Sequence, residues 1–213
     1  VAASGVTGAI AREPIAPPDA PDFAAPNTMR GWPVARLFFS SYEVRLGVTP
    51  LAQVLKWASE AAIETRGAGA TTERWVCFQL LGTVNDTRLW FIARGEAEPA
   101  RVEEIVAIRE PRGATIPLGC ARLPAELQPV SFDRWLWFGL PDREIKRRLG
   151  APSARHDDWL RYAYRGITQN KVRTQHGREE IVRSASDAML DVQYVDGKVV
   201  GLRARGSAAR KVP

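Results

Sequence analysis

Two stretches of this 213-residue chain run through the same order of elements, and that repetition most narrows the folds open to it. Gly47-Val48-Thr49-Pro50 opens a helical stretch, with Thr49 as cap and Pro50 in the first turn, where a missing N–H costs nothing. Leu51, Val54, Leu55, Ala58 and Ala62 follow at helical spacing, and Gly67-Ala68-Gly69 ends the run. Gly139-Leu140-Pro141-Asp142 opens a second, shorter helix. Its acids Asp142 and Glu144 sit at the positive end of the helix dipole, Lys146, Arg147 and Arg148 at the negative end, and Gly150 and Pro152 stop it.

Strands follow each helix. Residues 74–81, 87–94 and 102–109 are rich in β-branched and aromatic side chains, as are 158–165, 187–195 and 198–204, the last two joined by the Asp196-Gly197 turn. A helix over one sheet face buries that face, and two such units can merge their edges. The expected fold class is α+β: two helix-plus-antiparallel-sheet repeats forming one larger sheet with helices on one face. The expected boundaries are a flexible Pro/Ala-rich segment at 1–33, a first repeat at 34–110, a connector at 111–138, a second repeat at 139–206 and a tail at 207–213. The polar stretch 166–186 reads as a loop. Hydrophobic residues at 45% and charged residues at 25% describe a globular chain and exclude wholesale disorder.

The two cysteines, Cys77 and Cys120, form no CxxC pair and stand beside only two histidines, which is not a zinc pattern. No metal and no cofactor is expected. The pair is either a disulfide, which requires an oxidising compartment, or two buried thiols. The first 33 residues hold 6 of the 15 prolines and read as the linker of an exported protein, so the periplasm or cell envelope is the expected location, compatible with a lipoprotein anchor upstream. Residues 142–213 carry 16 Lys/Arg against 9 Asp/Glu while 1–141 are near neutral, which suits an acidic protein or an anionic membrane surface. Nucleic acid is not expected, because strand alternation separates Arg161 and Arg165 from Tyr162 and Tyr164.

Catalytic patterns are weak. His156 adjoins Asp157 and Asp158 in a turn, His176 lies in a polar loop, and Ser40-Ser41 and Ser184-Ala185-Ser186 lack a nucleophile elbow. The expected function is a non-enzymatic exported protein that binds another protein through an open sheet face. The alternative is a small-ligand-binding or enzymatic domain with a pocket near His156. In strand 87–94 Trp90 points away from Leu89 and Phe91, and Trp159 points away from Leu160 and Tyr162. With Arg88, Arg94, Arg161 and Arg165 these tryptophans make up the expected partner-binding face.

The second unit resembles the SmpA/OmlA (BamE) family of outer-membrane assembly proteins. The resemblance rests on Gly139 before the helix, Leu149-Gly150-Ala151-Pro152 after it, Asp157-Asp158-Trp159-Leu160-Arg161-Tyr162 and the hairpin Val192-Gln193-Tyr194-Val195-Asp196-Gly197-Lys198-Val199. Two such units in tandem look like the β-lactamase inhibitor protein architecture, in which a concave sheet clamps an enzyme loop. The resemblance implies a partner-binding sheet and a role in envelope assembly or inhibition.

Overall fold

The computed structural model describes residues 14–24, 29–30, 35–57, 60–173, 179–207 and 210–212. The elements of the first half are β1 (Met29–Arg30), β2 (Arg36–Phe39), β3 (Tyr42–Arg45), α1 (Leu51–Leu55), β4 (Glu64–Arg66), β5 (Glu73–Leu80), β6 (Asn85–Arg94) and β7 (Glu104–Pro111). The stretch between the halves holds β8 (Cys120–Arg122) and β9 (Val130–Phe132). The second half holds α2 (Asp142–Leu149), β10 (Ala154–His156), β11 (Trp159–Arg173), β12 (Glu179–Val195), β13 (Lys198–Gly206) and β14 (Arg210–Val212).

Eight strands run in the order β1-β11-β12-β13-β7-β6-β5-β4, with β10, β14 and β8 pairing alongside. The two meanders, β5-β6-β7 and β11-β12-β13, meet through their last strands, antiparallel from Gly201↔Ile108 to Arg205↔Glu104. A second sheet, β3-β2-β9, packs on one face of the first. Leu37, Phe39, Val44 and Phe132 from the small sheet join Val54, Ile145, Phe78, Phe91, Tyr162 and Leu202 in the main core.

The expected α+β class is corrected. Strand makes up 48% and helix 13%, so the fold is sheet-dominated rather than a sheet with helices on one face. Among the described residues the α-helices are α1 and α2, of 5 and 8 residues. The expected Thr49 cap is corrected: α1 starts at Leu51 with Pro50 as its N-cap and no side-chain cap, because Thr49 Oγ1 accepts from Arg45 N–H (2.9 Å), and the helix ends at Leu55 rather than near Ala62. Just beyond, the Trp57 ring packs 4.7 Å from Phe39 and 6.0 Å from Phe91, and the chain then forms β4 against β5. The stretch expected as a loop at 166–186 mostly continues β11 and β12, paired from Trp159↔Gln193 to Arg173↔Glu179. Its Thr, Ile and Val content suits a strand, and polarity concealed this. His176 lies outside the described residues. In the expected tail, β14 pairs with β12.

The two halves share one hydrogen-bonding motif. Gly47 N–H donates to Val102 O (2.7 Å) and Gly139 N–H to Val199 O (2.9 Å). Val102 N–H answers to Thr49 O (2.9 Å), Val199 N–H to Leu140 O (3.0 Å). Bridges Pro50↔Arg101 and Pro141↔Lys198 complete the match, so Pro50 corresponds to Pro141 and Val54 to Ile145, both fully buried. Both glycines have φ near +75°, a conformation that a Cβ disfavours (71° and 79°). In the second half, Tyr164 also donates to Leu149 O (3.0 Å), tying the end of α2 to β11.

Cys77 and Cys120 are joined as a disulfide between directly paired residues of the parallel strands β5 and β8. The bond closes a loop with a sequence separation of 43. Cys77→Ser is expected to lower the unfolding free energy by about 4 kcal/mol by the chain-entropy argument. Urea denaturation with and without the substitution measures this.

Candidate functional site

Strand alternation sends one set of side chains to the main core and the other to the opposite face. In register across that opposite face lie Cys77, Trp90, Val106, Arg203, Asp191 and Arg161. The neighbouring rows are Trp75, Ile92, Glu104 and Arg205, and Arg88, Ile108, Gly201, Gln193 and Trp159. All six residues of the expected partner-binding set therefore share one face.

They are not presented there as open groups. Each of the four arginines holds an acid of a neighbouring strand. Arg88 pairs with Glu110 (2.7 Å), and Arg165 with Asp187 (2.9 Å). Arg161 makes a two-pronged contact with Asp191, at 2.7 and 2.8 Å. Arg94 pairs with Glu73 and with Glu104 (2.7 Å). Glu104, 0% exposed, also accepts from Arg203, and Asp191, 0% exposed, lies 3.6 Å from Arg205. Burial pushes the Arg205 guanidinium down from its ordinary value, against the pull of Glu104 and Asp191. The acids are invisible to a reading of single strands. They come to this face only because β7 and β12 lie where they do, although alternation in 104–110 and 187–193 carries the signal.

Trp90 is 3% exposed because the chain itself lies over it. Residues 14–24 cross this face as an extended strap without helix or strand. Ile15 N–H donates to Leu118 O (3.3 Å), and Ile15 O accepts from Trp90 Nε1 (3.3 Å). Ile15 and Ala16 pack on a cluster of Trp75, Cys77, Trp90, Ile92 and Val106. Pro17 is buried, and Asp19 lies 3.8 Å from the Arg66 guanidinium. At the far side the Phe23 ring sits 4.0 Å from the Arg161 guanidinium. Gly119, at φ 80°, makes room for the strap: a Cβ there would stand 3.0 Å from Pro14 Cβ. Trp159 is partly buried, and Arg94 and Arg165 are exposed, at the margins of the strap's path.

His156 lies on β10, with Nε2 3.5 Å from the exposed Asp157 carboxylate and its ring 6.0 Å from Phe23. Two clefts lie elsewhere, and His156 lines neither. One of about 800 Å³ runs along Trp57, Leu81, Arg122 and Gln128. The other, of about 630 Å³, lies between Arg36, Phe38, Pro129 and Trp135. Trp135 is 79% exposed and follows Arg134, both with positive φ (58° and 62°). Such a turn is strained and needs outside support. Arg148 supplies it, donating from Nη1 to the carbonyls of Arg134 (2.6 Å) and Trp135 (2.7 Å) and from Nε to Glu144 (2.7 Å). Arg147 and Arg148 together hold the Glu144 carboxyl at about 2, well below its ordinary value. Among the described residues no group of three His, Cys, Asp or Glu side chains could hold a metal ion, and no helix is long and apolar enough to cross a membrane.

Glu104→Gln is expected to cost about 3 kcal/mol, because it leaves Arg203 buried without its counter-ion. Adding Arg203→Met is expected to restore more than half of that loss, measured by urea denaturation in a double-mutant cycle. For Glu144 the depressed value sets the sign. Its contribution is present above the unfolded carboxyl range, near 4.5, and disappears as pH falls through about 2. A carboxyl NMR titration is expected to show a midpoint near 2 that rises in Arg147→Met and in high salt.

No protein-family model matches the chain, and neither a curated protein nor a solved structure matches it.

Proposed function

We propose that this is a non-enzymatic binding protein that engages a protein partner through the strap-side face of its large sheet. One observation carries the reading: that face already holds an extended piece of polypeptide, residues 14–24, against Trp90 and Arg161. A surface that seats a backbone carbonyl, a buried proline and an aromatic ring has the features by which proteins take up extended peptides. Large aromatics grouped on one face are the usual anchors of such contacts. The Cys77–Cys120 bond supports an oxidising compartment, and with it the reading of an exported envelope protein.

A photo-crosslinking residue placed at Trp159 or Arg165, at the margin of the strap, tests this in cells of the source organism. It is expected to trap one defined protein, whereas the same residue at Arg147, exposed on α2 across the sheet, traps none. Equal capture from both positions, or none from either, overturns the reading.

A further inference from the structure

The strap has the composition of a ligand as well as that of a linker. Within Pro14-Ile15-Ala16-Pro17-Pro18-Asp19-Ala20-Pro21-Asp22-Phe23-Ala24, prolines recur at 14 and 17 and again at 18 and 21. This P-x-x-P spacing, met by an indole N–H donor and packed aromatic rings, is the chemistry by which grooves hold polyproline-type peptides. Such a segment loses little entropy on binding because it is already extended.

The face offers those groups. Trp90 Nε1 donates to the Ile15 carbonyl two residues before the buried Pro17, and Trp75 lines the same apolar patch. Charge is the smaller part of the attraction: Arg88, Arg94, Arg161 and Arg165 are each paired with an acid of the sheet, and Asp19 lies 3.8 Å from Arg66 with its side chain in solvent. Arg161 still offers the flat side of its guanidinium to an aromatic ring, and Phe23 takes it, six residues after Pro17.

The strap is also weakly seated. Its hydrogen bonds at Ile15 are long, 3.3 Å each, and Pro18, Asp19, Ala20, Asp22 and Ala24 are exposed. Segments with exposed backbone and few buried contacts open at low cost.

We infer that residues 14–24 are a resident pseudo-ligand, and that the partner's contribution is an extended proline-rich segment with P-x-x-P spacing and a trailing aromatic residue, which displaces them. This rests on the strap-side face being the binding surface. Trans binding is then weakened by the fraction of molecules whose strap is closed, about tenfold if nine in ten are closed.

The probe is a fluorescent peptide carrying residues 14–24, titrated by anisotropy into the full chain and into the full chain with Pro17→Asp and Phe23→Ala. The variant is expected to bind at least tenfold more tightly than the wild type, and a peptide with its prolines replaced by alanine at least tenfold more weakly. Equal affinity of the two proteins, or of the two peptides, overturns the inference. Should the variant not fold, hydrogen exchange on the wild type decides. Saturating isotopically heavy peptide is expected to raise exchange at Ile15, whose N–H is bonded to Leu118 O, and unchanged protection there overturns the inference. A wild-type dimer that the double substitution abolishes would show the strap exchanging between copies, and would overturn the assignment to a partner's segment. Failure in any of these while crosslinks from Trp159 still map a partner removes this inference alone. Loss of the crosslinks as well removes the binding reading beneath it.

Discussion

The seam between β7 and β13 holds the two halves in one sheet, and Glu104 anchors one end of it. It accepts from Arg203 on one side and Arg94 on the other while excluded from water. An isolated carboxylate in that position would be untenable; with two guanidinium partners it is satisfied. The Asp191 group, with Arg161 and Arg205, extends the pattern over the second meander. Alternating charges thus cross five strands. The network also explains why the tryptophan–arginine face is not an open basic patch: its arginines are committed within the sheet.

The strap depends on that arrangement. Phe23 can lie on Arg161 because Asp191 fixes the guanidinium from within the sheet. At the other end Ile15 and Ala16 lie on the patch that includes Cys77 and Cys120, and the disulfide holds β8 beside β5 where Leu118 receives the Ile15 N–H. The N-terminal segment therefore spans both meanders, from the disulfide edge to Arg161. A face closed by a weakly held segment of its own chain differs from both an open docking surface and an ordinary core.

Much of the local structure was legible in the residues. Pro50 and Pro141 stand directly before helices, Gly150 ends one, and Asp196-Gly197 turns a hairpin. Alternation correctly put Trp90, Trp159 and the four arginines on one face, since period-two geometry is a property of the chain. The length of α1 was not legible. Ala58 and Ala62 suit a helix, but packing of Trp57 on Phe39 and Phe91 and the pairing of β4 with β5 redirect the chain. Nor was the small sheet, because β2 and β9 are brought together from opposite sides of the first half.

What the sequence by itself determined was where most elements begin and turn and which side each strand residue faces. These depend on dihedral preference and spacing along the chain. Only the tertiary structure decided that β7 and β13 are neighbours, that Glu104, Glu110, Asp187 and Asp191 therefore meet the arginines, and that residues 14–24 lie over Trp90. Those outcomes rest on contacts between residues up to about a hundred positions apart, as with Arg203 and Glu104 at a separation of 99. The order of strands in a sheet sets such meetings, and no local pattern encodes it.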